Sequence, residues 1–228
     1  MDSSRWPRRV YCTAAVALAF ATHADAVPTC KATRSALLLE RFMSADCESC
    51  WQAAGSKDGS ASTMVLDWIA PAADGAALAA GSVPEAASRA PALTPTETLQ
   101  RQTSLSRPDA PRLRIADGPA WNGYVGVQLT VDGRTALPSG AQAYVALVER
   151  VPAGSEGSGV TRQLVRAVAG PLSLEELSTA RTVRHFRAMR LPEGGRPERL
   201  GSVGWVETAQ GVVIAATQSA AADCKAVR

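Results

Sequence analysis

The chain carries a Cys-x-x-Cys pair, Cys47 and Cys50, shortly after a short apolar run at residues 36–42. That run has the length and hydrophobicity of a buried strand and ends in polar residues. Residues 51–54 favour a helix that ends at Gly55. This order of strand, cysteine pair and helix constrains the fold more than any other feature of the sequence.

The first 26 residues predict a secretory signal peptide. Arg8 and Arg9 precede a mostly apolar stretch at residues 10–21, and small residues follow up to Ala26. A basic segment, a short apolar segment and a small-residue cleavage site form the pattern of an export signal. The apolar stretch is short of the ~20 residues that span a bilayer. We expect a periplasmic or secreted chain with no stable membrane span after cleavage; the alternative is an N-terminal surface helix.

Export leaves four cysteines in an oxidising compartment, where an even number favours disulfides. They are Cys30, Cys47, Cys50 and Cys224. Four cysteines permit three connectivities, and the spacing of Cys47 and Cys50 suits a local pair. In that case Cys30 and Cys224 remain near the two ends of the mature chain. A bridge between them would contribute roughly 5 kcal/mol in the chain-entropy model, less any strain.

The mature chain divides into two halves with different periodicity. Residues 27–115 contain the first strand and helix, a second strand at 63–70, a short helix at 82–89 and a polar connection, and this order suggests an α/β unit. Residues 116–228 contain short strands separated by Gly-containing turns, which indicate a small antiparallel β domain. Its predicted strands lie at residues 124–131, 143–150, 162–169, 203–207 and 211–218.

Within the second half, arginines recur at every third position around His185. They are Arg181, Arg184, Arg187 and Arg190. A step of three residues drifts by ~60° around a helix, so these side chains form no straight helical stripe. A strand with Val183, His185 and Arg187 on one side fits better. We expect the arginines to be solvated, with an anion site as the alternative.

The Cys-x-x-Cys pair has three chemical interpretations. At a helix N-terminus, Cys47 attacks a substrate disulfide and Cys50 resolves the mixed disulfide, as in thioredoxin-like folds. Asp46 and Glu48 oppose this, because each destabilises a Cys47 thiolate by some tenths to about 1 kcal/mol, comparable to the gain from the helix terminus. An inert structural disulfide is the second interpretation, and a Cu(I) site that includes Met43 is the third. A structural zinc site is disfavoured, because it needs four ligands.

Several function classes are excluded. Export removes His23 and leaves His185 as the one histidine, and no Gly-x-Ser-x-Gly elbow, Gly-rich phosphate loop or paired metal-binding histidines are present. The sequence therefore predicts no hydrolase, no cofactor and no resident metal ion. The net charge is +3, and 21 of the 24 basic residues are Arg. So small a net charge gives no strong field, and we expect no nucleic-acid partner.

Residues 39–51, LERFMSADCESCW, resemble the segment VELFTSQGCSSCPP of the exported thioredoxin-like proteins grouped as domain of unknown function family 1223. Members of that family often carry a cysteine before this strand and another at the C-terminus, which matches Cys30 and Cys224. The resemblance places Thr94-Pro95 where thioredoxin folds hold a cis-proline opposite the cysteine pair. Read without the resemblance, Thr94, Pro95 and Glu97 indicate a capped helix start.

The chain also departs from the family. Trp51-Gln52 replaces two prolines after the cysteine pair, and residues 69–74 keep only the last Asp of a segment rich in aromatic and acidic residues. The resemblance therefore implies a divergent member with altered or absent chemistry.

Together these observations predict a reduced α/β thioredoxin-like domain followed by a small antiparallel β-sandwich-like domain. The predicted activity is thiol–disulfide exchange on a protein thiol or disulfide substrate, with Cys47 attacking, Cys50 resolving and Pro95 shaping the substrate groove. The alternative is a non-catalytic envelope binding or structural module in which Cys47–Cys50 is inert.

Overall fold

A computed structural model describes residues 35–53, 62–133 and 137–219. Within these residues the chain forms ten strands and two short α-helices. The strands are β1 (Leu37–Ser44), β2 (Thr63–Ala70), β3 (Leu99–Ser104), β4 (Arg112–Trp121), β5 (Tyr124–Asp132), β6 (Gln142–Val151), β7 (Arg162–Ser173), β8 (Thr182–Arg190), β9 (Leu200–Glu207) and β10 (Val213–Gln218). The helices are α1 (Glu48–Gln52) and α2 (Pro84–Arg89).

The strands form two sheets. The larger sheet has seven strands in the order β10-β9-β6-β7-β2-β1-β3, and the smaller sheet has the order β4-β5-β8. The pairs β1–β2 and β2–β7 are parallel, and the other pairs are antiparallel. The larger sheet is therefore mixed, and it contains strands from both halves of the sequence.

The predicted thioredoxin-like α/β domain is wrong. The described chain is mostly strand, and α1 and α2 have only five and six residues. Helices of that length cannot cover both faces of a sheet as α/β folds require. Instead β1, β2 and β3 continue into the same sheet as β6, β7, β9 and β10. Strand β4 runs across residues 115–116, the predicted domain boundary, and the division into domains stays a prediction.

One face of the larger sheet packs against the smaller sheet. Alternate residues of β5 point into this interface, and all are almost fully buried: Val125, Val127, Leu129 and Val131. They meet Val145 and Leu147 of β6 and Val206 of β9. The period-2 alternation that predicted these strands therefore defines the core between the sheets.

The opposite face of the larger sheet packs against α2 and is rich in aromatic residues. Ala86 of α2 is fully buried in the same cluster as Phe42, Trp68 and Trp205, which come from β1, β2 and β9. Phe42 and Trp68 stack with ring centroids 5.9 Å apart, and Trp68 meets Trp205 edge-on at 6.2 Å. The short helix thus covers a layer of large rings.

Some local predictions hold and others fail. The strand predicted at 63–70 is β2, and β8 is a strand with Val183 and Met189 buried on one side. The helix start predicted at Thr94 is wrong, because residues 95–96 form a turn. Thr94 Oγ1 still donates to Glu97 Oε2 at 3.0 Å, but no helix follows.

A buried carboxylate joins the two parts of the larger sheet. Asp67 of β2 is fully buried and lies opposite Leu164 of β7. Its oxygens lie 2.7 Å from Arg41 Nε and 3.3 Å from Arg162 Nη1, and Oδ2 accepts from the Gln163 backbone N–H at 2.7 Å. The side chain thus bridges β1, β2 and β7.

We predict that Asp67→Asn lowers the free energy of unfolding by about 3–5 kcal/mol, because it leaves Arg41 and Arg162 buried without their counter-charge. Denaturant unfolding at pH 7 measures this. Asp74→Asn, at an exposed position, is the matched control and should stay within about 0.5 kcal/mol of the parent chain. A loss below about 1 kcal/mol for Asp67→Asn would show that the bridge does not stabilise the sheet.

Candidate functional site

Cys47 and Cys50 form a disulfide at the turn between β1 and α1. The sulfurs are 2.04 Å apart and the Cα atoms 5.2 Å apart. Cys47 is the N-cap of α1, and its carbonyl accepts from the backbone N–H of Cys50 at 3.1 Å and of Trp51 at 3.3 Å. The cross-link therefore closes the first turn of the helix on itself.

The two cysteines differ in exposure. Cys47 is 4% exposed, whereas Cys50 is half-buried. The sulfur of Cys47 lies 3.5 Å from Ser49 Oγ, and the sulfur of Cys50 lies 3.8 Å from the Thr96 carbonyl. The predicted attacking cysteine is thus the less accessible of the pair.

Pro95 precedes a residue that contacts the disulfide, but neither cysteine lines the groove that Pro95 borders. Thr96 contacts Cys50, and Pro95 lines a shallow groove of about 270 Å³ together with Ser44 and Asp46. Among the described residues, the cis peptide bond is Gly170–Pro171, so the Thr94–Pro95 bond is trans. The roles proposed for Cys47, Cys50 and Pro95 in thiol exchange stay predictions.

Beneath the disulfide, Trp51 anchors α1 in the core. Its side chain is 5% exposed and packs with Met43 and Ile69. The indole Nε1 donates to the Glu156 carbonyl at 2.7 Å, and the Arg162 guanidinium lies 5.4 Å from the ring centroid. Trp51 is therefore a core anchor of α1.

Arg162 connects this anchor to the buried carboxylate. Its Nη2 donates to the carbonyl oxygens of Cys50 at 3.0 Å and Trp51 at 2.9 Å, and its Nη1 pairs with Asp67. The pKa of Arg162 is lowered, chiefly by burial. The Asp67 carboxylate raises this pKa in part, and the neighbouring charge of Arg41 lowers it. The orphan carbonyls at the end of α1 are thus satisfied by a buried cation.

On the α2 face, a cavity of about 500 Å³ adjoins a charged aromatic layer. We define this layer as Glu40, Arg89, Arg101 and Glu207 together with Phe42, Trp68, Tyr144 and Trp205. Arg89 lies 5.3 Å from the ring centroids of both Trp68 and Trp205. Tyr144 stacks on Trp205 at 5.3 Å with an interplanar angle of 8°.

The charged side chains of this layer form a continuous series of ion pairs. Arg89 contacts Glu207 at 2.7 Å and Glu40 at 3.0 Å, and Arg101 contacts Glu40 at 3.0 Å. Burial opposes the charge of Arg89, but the two carboxylates outweigh it and the pKa of Arg89 is raised. Burial, followed by the Glu207 carboxylate, raises the pKa of Tyr144. The two arginines and two glutamates of the layer therefore neutralise one another.

These buried charges were not predicted from the sequence. Glu40 lies in the apolar run LLLERF, and Asp67 lies in TMVLDWIA. An acidic residue within a buried strand is rare unless it is paired, and that signal marks both positions. Arg41, one partner of Asp67, carries the same signal within LLLERF, whereas the partners Arg89, Arg101 and Arg162 lie outside these runs and carry none.

No group of three metal-binding side chains occurs within the described residues, and none of their helices is long and apolar enough to cross a bilayer. The predicted signal peptide, Cys30 and Cys224 lie outside the described residues. The Cys30–Cys224 bridge stays a prediction.

Comparison with known proteins gives one distant structural likeness. No described protein family and no curated protein matches the chain. Among solved structures, HBP35 of Porphyromonas gingivalis is similar, with a TM-score of 0.48, 9% sequence identity, and coverage of 82% of this chain and 76% of that one.

His185 gives a prediction for the pH dependence of stability. The pKa of His185 lies below the usual value of 6.5. Burial is the largest cause, and the charge of Arg187 lowers the pKa further. A hydrogen bond with the Ser173 backbone and the charge of Glu176 raise the pKa but do not outweigh these effects. The unfolded chain therefore takes up the proton first as the pH falls. The contribution of neutral His185 to the free energy of unfolding is complete above about pH 6.5. It is lost as the pH falls from there towards the pKa of His185 in the folded chain.

We expect His185→Gln to remove the part of the acid-induced fall in unfolding free energy that comes from protonation of His185. Denaturant unfolding of both chains between pH 7.5 and about pH 5 measures it, and their difference isolates His185 from other titrating groups. Parallel pH profiles for the two chains would contradict the expectation.

Proposed function

We propose that this protein is a non-catalytic binding module of the periplasm or the extracellular space, in which Cys47–Cys50 is a structural cross-link. The observation that carries the proposal is the burial of Cys47, which is 4% exposed at the disulfide. A catalytic disulfide needs a sulfur that a substrate thiolate can reach and a thiolate that the protein stabilises.

The surroundings of Cys47 do not stabilise a thiolate. Helix α1 has five residues, and Glu48 lies in its first turn, next to Cys47. Asp46 precedes Cys47 directly. Two carboxylates beside a short helix terminus raise the free energy of a thiolate, and they therefore stabilise the disulfide relative to the dithiol.

The disulfide instead supports the fold. Closing a loop of four residues contributes about 2 kcal/mol in the chain-entropy model. It also fixes the turn that places Trp51 in the core and the Cys50 carbonyl against Arg162. Its position next to the Asp67 bridge favours a structural role.

A binding function is supported by the charged aromatic layer. The layer forms one wall of a 500 Å³ cavity, within the size range of ligand sites. Its arginines and carboxylates are fixed by one another before any ligand arrives. Such preorganised side chains lower the cost of ordering on binding.

A second candidate function, thiol–disulfide exchange, is favoured by the partial exposure of Cys50. In that case an external thiolate attacks Cys50 Sγ, a mixed disulfide forms, and Cys47 leaves as a thiolate. This reverses the predicted roles of the two cysteines. The buried leaving group between Asp46 and Glu48 makes the step unfavourable.

A redox titration distinguishes the two functions. We expect the Cys47–Cys50 midpoint potential to lie below about −300 mV, the range of structural disulfides. Alkylation of the oxidised and reduced forms, followed by peptide mass spectrometry, reports this pair separately from Cys30 and Cys224. A midpoint near −200 mV together with turnover in insulin reduction would establish exchange.

We predict that Cys47→Ala/Cys50→Ala lowers the free energy of unfolding by about 2 kcal/mol and leaves ligand binding unchanged. Chemical denaturation measures the loss, and Ser49→Ala, within the same turn, is the matched control. A stable double variant that has lost its biological role would favour exchange instead.

A further inference from the structure

The exposed aromatic side chains of the described chain lie on one face of the smaller sheet. Trp121, Tyr124 and Phe186 are 76%, 48% and 64% exposed. The other described aromatic residues are buried or half-buried: Phe42, Trp51, Trp68, Tyr144 and Trp205. We call the side of β4-β5-β8 that points away from the larger sheet the outer face.

Strand register assigns the aromatic rings to this face. Trp121 pairs with Tyr124 across the β4–β5 hairpin, and Phe186 of β8 pairs with Gln128. Residues directly opposite in an antiparallel pair lie on the same side of the sheet. Tyr124 and Gln128 alternate with the buried residues Val125 and Val127, so their side is the outer one.

The same register adds basic side chains. Thr130 is flanked by Arg114 on β4 and Arg184 on β8, and its burial on this open side is consistent with cover by the two long side chains. Arg190 lies opposite Tyr124. The outer face thus has Arg190 beside the aromatic rings at one end, Phe186 in the middle, and two arginines flanking Thr130 towards the other end.

Its charge is strongly basic. Arg112 of β4 lies opposite Asp132 of β5 in the strand register. Together with Arg114, Arg184 and Arg190, these are the charged residues that the register places on this face within the described strands. Four arginines against one aspartate leave a net charge of +3. This equals the net charge of the whole chain and is concentrated on one side of a three-stranded sheet.

The ring of Phe186 lies along the sheet. A Cβ atom at Gly126, on the neighbouring strand, would be 3.0 Å from Phe186 Cζ and 3.1 Å from Cε2. The far end of the ring therefore lies above the β5 backbone at Gly126, while the side chain as a whole stays largely exposed. Gly126 makes room for this arrangement.

We propose that the outer face binds a linear acidic polysaccharide. Sugar rings stack on the flat aromatic surfaces, since an aromatic face carries negative charge that attracts polarised C–H groups. Carboxylates along the polymer pair with the guanidinium groups, which match them in a planar, bidentate geometry. From Tyr124 to Thr130 the face extends roughly 20 Å, long enough for several sugar units.

Other polyanionic partners fit the face less well. A disulfide such as Cys47–Cys50 persists in oxidising compartments, which disfavours nucleic acid as the partner. Membrane surfaces are bound by apolar side chains that penetrate the headgroup region, whereas the end of the Phe186 ring is held close to the β5 backbone at Gly126. The inference goes beyond the proposed function, because the outer face is a different surface from the charged aromatic layer.

The test uses the purified, disulfide-intact chain and four probes. They are polygalacturonate, neutral dextran, single-stranded oligothymidylate, and vesicles of phosphatidylglycerol and phosphatidylcholine. We expect binding to polygalacturonate that weakens as the salt concentration rises, and no binding to dextran. Equal binding to dextran, or tighter binding to the oligonucleotide or the vesicles, would overturn the proposal.

Variants locate the binding surface. We expect Phe186→Ala and Arg184→Gln each to weaken polygalacturonate binding about tenfold, the effect of losing one stacking or bidentate contact. Leu99→Ala and Arg107→Gln, exposed positions away from the outer face, are matched controls and should bind like the parent chain. A loss in the controls equal to that in the test variants would assign binding elsewhere.

The two proposals fail separately. If the polymer does not bind while Cys47–Cys50 resists reduction, the polysaccharide inference is wrong and the structural role of the disulfide stands. If the polymer binds and the disulfide turns over with thiols, the outer face is confirmed as a binding site and the non-catalytic assignment is wrong.

Discussion

The carboxylate of Asp67 holds the architecture together. It is fully buried at the point where β2 meets β7, and it accepts from Arg41, Arg162 and the Gln163 backbone. A buried carboxylate is costly unless every oxygen is paired, so its geometry constrains the three strands at once. The parallel pairing of the two halves of the larger sheet depends on this interaction.

The disulfide turn is an extension of the same network. Arg162 contacts Asp67 on one side and the carbonyls of Cys50 and Trp51 on the other. Trp51 is in turn held by Arg162 and by the Glu156 carbonyl. Both sides of the turn are therefore fixed by buried contacts, which supports the structural role that we propose for the disulfide.

The two proposed binding surfaces occupy different sides of the sheets. The charged aromatic layer lies on the α2 side of the larger sheet, with its arginines neutralised by Glu40 and Glu207. The outer face of the smaller sheet carries exposed rings and unbalanced positive charge. The first adjoins a cavity of small-molecule size, and the second is an exposed surface that suits a polymer.

Local periodicity predicted much of the strand pattern, but not the arrangement of the strands. The runs at 36–42 and 63–70 and the alternation from Tyr124 were sufficient to locate β1, β2 and β5. The sheet order was missed, because the pairing of Asp67 with Leu164 joins residues 97 positions apart. No local pattern records such a pairing.

The candidate sites show the same limit. The sequence predicted the Cys47–Cys50 pair and its local spacing, but not that Cys47 would be the buried member. The arginine spacing around His185 correctly indicated a strand, yet it did not show that Arg184 and Arg190 share a face with Phe186 and Tyr124. That grouping arises from cross-strand register, which depends on β5.

The rate at which thiols reduce Cys47–Cys50 tests the central claim most directly. If the disulfide is a structural cross-link held by its buried surroundings, native reduction should be much slower than reduction of the unfolded chain, and the rate should rise with denaturant in parallel with unfolding. A reduction rate in the native chain that equals that of the unfolded chain and does not change with denaturant would contradict a structural role.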